Sequence, residues 1–157
     1  MSDDVPGVEF EEVEAMVIQE GWSSYELEDR SIIKARSIMT KLRWPKGQTG
    51  RPLAGQQIVY AYQNIVVVLS PSELRGAPNP KQPNVEEARL LPQEEARVVR
   101  SNEEWNIYEL PLEGNKRFKM KTVATSIRRV KDLYADDGNP YYIVESTLVV
   151  VPVTSPS

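Results

Sequence analysis

The sequence predicts an all-β fold, internally duplicated, whose antiparallel strands form a barrel or two packed small sheets about a pseudo-two-fold axis. Three observations predict it. First, the phrase "GWSSYEL" at 21–27 returns as "EWNIYEL" at 104–110, with Trp22 and Trp105 standing 83 positions apart (105 − 22). Tyr25 and Tyr108, Glu26 and Glu109, and Leu27 and Leu110 keep the same spacing. Second, the segments after each phrase are rich in Val, Ile and Tyr, which suit a pleated surface. Third, turn signals separate those segments at short intervals.

The match extends beyond the phrase. Lys34, Arg36, Ile38, Thr40, Leu42 and Arg43 align with Lys119, Lys121, Val123, Thr125, Ile127 and Arg128, now 85 apart (119 − 34). The second copy therefore carries two extra residues in the turn after Leu110. "NIVVV" at 64–68 aligns with "TLVVV" at 147–151, and "EAMVIQ" at 14–19 with "EARVVR" at 95–100. A repeat of this kind is read before any single motif, because it decides the architecture. The chain 1–157 reads as one domain: a first β repeat at 14–70, a Pro-rich linker with a short helix at 71–94, and a second β repeat at 95–152.

Within each repeat the elements follow in the same order. "YELED" and "SIIKARSIMTKLRW" are two strands joined by a polar turn at Asp29-Arg30-Ser31, and the second copy places Gly114-Asn115 in the equivalent turn. A third strand follows, "QIVYAYQNIVVVLS" or "YYIVESTLVVV". Its apolar run predicts burial on both faces. Asp137-Gly138 with Pro140 marks the turn before it in the second copy, whereas the first uses a longer Gly- and Pro-rich loop at 45–55. In the linker, Pro71, Pro78, Pro80 and Pro83 predict a stiff exposed connector. Asn84, with Glu87 three residues on, predicts a capped helical segment from Val85 to Leu91, stopped by Pro92. Closure into a barrel is the favoured arrangement, because it leaves no edge open.

Composition narrows the chemistry. The 157 residues include neither Cys nor His. Thiolate ligands, a Cys nucleophile and the commonest general base are thereby excluded. No nucleotide-binding or nucleophile-elbow motif occurs, so no cofactor or resident metal is expected, and the chain does not read as an enzyme. Glu26 and Glu109 lack the neighbours that a glycosidase pair needs. The net charge of −4 disfavours a polycation's strong grip on nucleic acid. No stretch approaches the ~18 apolar residues of a membrane span, and the acidic start lacks a signal peptide's apolar region. A cytoplasmic protein without membrane contact is expected.

Two sets of residues are candidates for binding. Lys34 and Arg36, with Lys119 and Lys121, fall on one parity of the second strand in each repeat, followed by apolar residues on that same parity. A long strand that leaves the barrel midway, or changes face at a bulge, would let the apolar half join the core while the bases project. Together with the tryptophans and tyrosines, the four bases could bind single-stranded nucleic acid. Otherwise they pair across strands with acids such as Glu26 and Glu109. The second set, Trp44, Lys46 and Arg51, opens the long loop that has no counterpart in the second repeat, and loops on rigid scaffolds often carry binding residues. The leading expectation is a binding or assembly module acting through protein–protein contacts or self-association. Single-stranded nucleic-acid binding is the alternative.

Overall fold

The computed structural model describes residues 10–45, 59–110 and 117–153. The described chain is mostly strand: β1 (Phe10–Val13), β2 (Met16–Gln19), β3 (Ser23–Leu27), β4 (Ile32–Pro45), β5 (Val59–Leu69), α1 (Val85–Ala88), β6 (Gln93–Glu95), β7 (Val98–Glu103), β8 (Asn106–Glu109), β9 (Arg117–Tyr134) and β10 (Pro140–Val153). Among the described residues no helix is long and apolar enough to cross a membrane.

The strands form two five-stranded antiparallel sheets rather than a closed barrel. In the first sheet β5 runs along one edge of β4, and the other edge of β4 is shared by β3 near its start and β1 near its end. In the second sheet β10 lies along one edge of β9, with β8 and β6 sharing the opposite edge. Each sheet is completed by a strand from the other half of the chain, since β2 pairs with β8 and β7 pairs with β3. Closure fails for a physical reason. The inner faces of the two sheets bury against each other, so β5 and β10 are left as outer strands with one strand neighbour each among the described residues.

The core follows from side-chain alternation along β4 and β9. Ile33, Ala35 and Ser37 point inward from β4, and Phe118, Met120 and Thr122 from β9. Leu42 of the first sheet packs with Tyr108, Leu110, Phe118 and Met120 of the second. Reciprocally, Ile127 and Tyr142 pack with Tyr25, Leu27 and Ile33. The inward parity switches between Ser37 and Leu42, and between Thr122 and Ile127. The expected bulges make the switch. Met39 faces Tyr62 while Lys41 faces Ala61, leaving Thr40 as the extra residue. Ser126 faces Glu145 while Ala124 faces Ser146, leaving Thr125 as the extra residue. Each extra threonine bonds a carbonyl of the neighbouring strand, Thr40 to Ala61 and Thr125 to Glu145.

The turns follow their local chemistry. Arg30 takes φ 71° in the β3–β4 turn, closed by Leu27 N–H donating to the Ser31 carbonyl at 2.8 Å. Gly138 takes φ 87° in the β9–β10 turn, as the Asp-Gly pair predicts. The Asn84 side chain caps α1 by accepting from the Glu86 amide at 2.7 Å. Regular helix ends at Ala88, short of the expected Leu91, because Leu90 and Leu91 close tighter bonds to Glu87 and Ala88. Ala88 docks on Val130 and Ile143, which fixes the linker to the second sheet.

One expectation is corrected. β5, read as buried on both faces, is an outer strand on which Ile65, Val66 and Leu69 are exposed. An apolar run reports the side chains but not whether a second layer covers them. The Gly114-Asn115 turn and the loop bearing Lys46 and Arg51 lie outside the described residues. Trp44 is placed as a residue of β4 opposite Glu11 of β1.

Candidate functional site

The basic pairs of β4 and β9 lie on the outward parity, each pair over one indole. Lys34 Nζ and Arg36 Cζ are both 5.5 Å from the Trp22 ring centroid. Lys119 Nζ and Lys121 Nζ are 4.4 and 4.7 Å from that of Trp105. All four distances are within the ~6 Å over which a ring face attracts a cation. The pairs occupy different sheets. The tryptophans therefore sit beneath cations.

A carboxylate completes each cluster, and it is not one the sequence singled out. Glu20 accepts from Arg36 at 2.8 Å and from the Tyr108 hydroxyl at 2.9 Å. Glu103 lies 3.5 Å from Lys121 and accepts from the Tyr25 hydroxyl at 2.7 Å. Glu26 and Glu109 instead pair with Arg100 and Arg117. A signal for the missed residues was present, because Glu20 and Glu103 each stand two positions before a tryptophan of the repeated phrase.

The tyrosine hydroxyls also serve the backbone. The β9 edge between its pairings with β8 and β6 has no neighbouring strand. Side chains from β3 fill that gap: Ser23 Oγ donates to the Thr122 carbonyl at 2.6 Å, and the Ala124 amide donates to the Tyr25 hydroxyl at 2.8 Å. The corresponding gap on β4 is filled from β8. There Asn106 Nδ2 donates to the Ser37 carbonyl at 2.7 Å, and the Met39 amide bonds the Tyr108 hydroxyl. Between the two gaps the Ser37 and Thr122 hydroxyls bond each other across the sheets. Such satisfaction is required of buried backbone groups that lack a ladder partner.

Burial pushes both phenols up to about 12. The backbone amide of Ala124 or Met39 pulls each partly back, while Glu103 or Glu20 adds to the rise. Neither tyrosine is thus a ready acid or base near neutral pH. Among the described residues no group of three or more acidic side chains is placed to hold a metal ion. Two clefts, of about 200 and 250 Å³, are lined by the linker with α1 and by the β3–β4 turn with β6; neither includes a residue of the clusters.

No protein-family model, curated protein or solved structure matches this chain. Chemistry at the site must therefore be read from its own geometry. What that geometry achieves is a joint between sheets, with each aromatic–cation cluster tied through a carboxylate to the opposite core.

Proposed function

We propose that the chain is a non-enzymatic binding or assembly module acting through protein–protein contacts, built by duplication of a five-strand unit. The observation that carries the functional reading is the placement of exposed apolar side chains along sheet edges. Met16, Val17 and Ile18 are exposed on β2, Val98 and Val99 on β7, and Ile65, Val66 and Leu69 on β5. Each of these strands has one neighbour in its sheet. An open edge offers backbone donors and acceptors to a partner strand, and adjacent apolar side chains add burial to that pairing. Duplication is supported by the recurring sequence offsets and by the like wiring of β3-β4-β5 and β8-β9-β10.

The Trp-associated bases support an alternative, capture of single-stranded nucleic acid, since Lys34 and Lys119 have no carboxylate partner among the described residues. Against it, both indoles are already occupied by cations and unavailable for base stacking. The test is affinity purification of the tagged full chain from its own cells, with washes up to ~1 M salt, where the Debye length is about 3 Å. The expected result is a stoichiometric protein partner, either a second copy or another chain, retained at high salt. Retention of nucleic acid alone, lost with salt and in the K34E/R36E/K119E/K121E variant, would replace this reading with the alternative.

A further inference from the structure

We propose that β5 pairs antiparallel, about a two-fold axis, with β5 of a second copy of this chain. The inference rests on the protein–protein reading above and names its partner.

One edge of the strand is paired, and the other has no strand partner among the described residues. β4 pairs it from Leu69, opposite Ile32, to Val59, opposite Arg43, and no described strand lies on the other side. Its 11 residues, VYAYQNIVVVL, span roughly 37 Å at ~3.4 Å per residue. They include no charge, proline or glycine. Proteins protect a solvent-facing edge with short strands, charges, prolines or bulges. The other outer strands among the described residues carry such devices. β1, β2 and β6 have four, four and three residues. β7 bears Arg100 and Glu103, while β10 bears Pro140, Glu145 and Pro152. Among the described outer strands, β5 alone is long and free of charge and proline.

Both faces of β5 offer apolar surface beside that edge. Ile65 is 39% exposed and Leu69 51% on the outer face, next to the exposed Ile32 of β4, and Val66 is 46% exposed on the other face. A second strand laid against the edge would cover surface on both sides.

Charge selects the occupant. Antiparallel pairing of a charged strand with its own copy risks setting like charges opposite one another, which is destabilising. By sequence β5 contains only aliphatic residues, tyrosine, glutamine and asparagine. Two molecules of net charge −4 can therefore approach along this strip without like charges meeting in the new ladder. Self-pairing about a two-fold closes after two copies, so it produces a dimer and not a fibre. One strand pair buries less than a standard interface, which places the complex among weak, reversible associations.

The test is sedimentation velocity on the full chain from ~1 μM to ~1 mM, alongside I65K/V66K and L90K variants checked for folding by circular dichroism. Leu90, 85% exposed beyond α1, is the control. The expected result is a concentration-dependent dimer, weakened at least ~10-fold by the paired lysines and unchanged by L90K. Hydrogen exchange on the unmodified chain supplies a readout independent of any variant: amides of β5 should gain protection as concentration rises. A monomer at every concentration, or a dimer whose β5 amides gain no protection, overturns the proposal. If the monomeric chain still retains a different protein at high salt, only the second copy is refuted. If it retains none, the protein–protein reading falls as well.

Discussion

Replacing Tyr25 with phenylalanine should destabilise the whole molecule by about 2–3 kcal/mol while leaving its shape intact. The ring is 3% exposed, so Phe keeps the packing against Leu27, Ile33 and Ile127 and removes only the oxygen. Besides a long contact to the Thr122 carbonyl at 3.5 Å, that oxygen makes two short bonds of different worth. The Ala124 amide, in the strandless gap of β9, loses its acceptor, and a buried unsatisfied amide costs roughly 1–3 kcal/mol. Glu103 loses a donor at 2.7 Å, but it is partly solvated and keeps Lys121 at 3.5 Å, so this second loss is smaller. Urea unfolding followed by tryptophan fluorescence measures the sum. With a slope of ~2 kcal/mol/M, the midpoint should fall by about 1–1.5 M. Tyr108→Phe should behave alike, since its hydroxyl bonds Glu20 and the Met39 amide. A midpoint within ~0.3 M of the parent for Tyr25→Phe would refute the view that these hydroxyls replace missing strand pairing.

Alkaline pH should unfold the protein in a defined window. Tyr25, Tyr108 and Tyr142 are held at about 12, burial being the leading cause in each, against an ordinary value of 10. The folded state thus binds these protons more tightly than the unfolded chain. The resulting stability is complete below pH 10 and is lost as pH rises through 12, by up to roughly 3 kcal/mol per tyrosine. Phenolate absorbance should appear in step with loss of structure; titration of all seven tyrosines near pH 10 in a folded protein would contradict it. Gly138→Ala should lower Tm by ~2–4 °C for each ~1 kcal/mol lost, because φ is 87° and the new Cβ would meet the Gly76 carbonyl at 2.8 Å. A change under ~1 °C would show that the turn relaxes freely. Asn84→Ala should cost α1 about 1 kcal/mol, seen as faster hydrogen exchange at Glu86, whose amide loses its cap; unchanged exchange there would count against the cap.

Elements governed by neighbouring residues were legible in the sequence. The turns at Asp29-Arg30-Ser31 and Asp137-Gly138, the Asn84 cap and the face switch in the long strands all rest on local backbone preferences or alternation. Tyr25 and Tyr108 could be placed over the core because each shares a parity with a leucine. Their role as substitutes for a strand was not visible, because the gap in β9 exists only once β8 and β6 have both docked. Glu20 and Glu103 were overlooked for a related reason. A carboxylate shows its function only when the cation and phenol it joins, drawn from strands distant in sequence, come within reach.

The sequence by itself determined that this chain is built of β-strands, with corresponding phrases at fixed offsets and long strands whose apolar side changes midway. These properties follow from side-chain alternation and turn chemistry, which act over a few residues. The tertiary structure alone decided that the halves exchange β2 and β7, that two sheets stack instead of closing, and that β5 is left open at the edge. Those outcomes depend on which surfaces bury against one another, a competition among contacts some 70 or more positions apart along the chain.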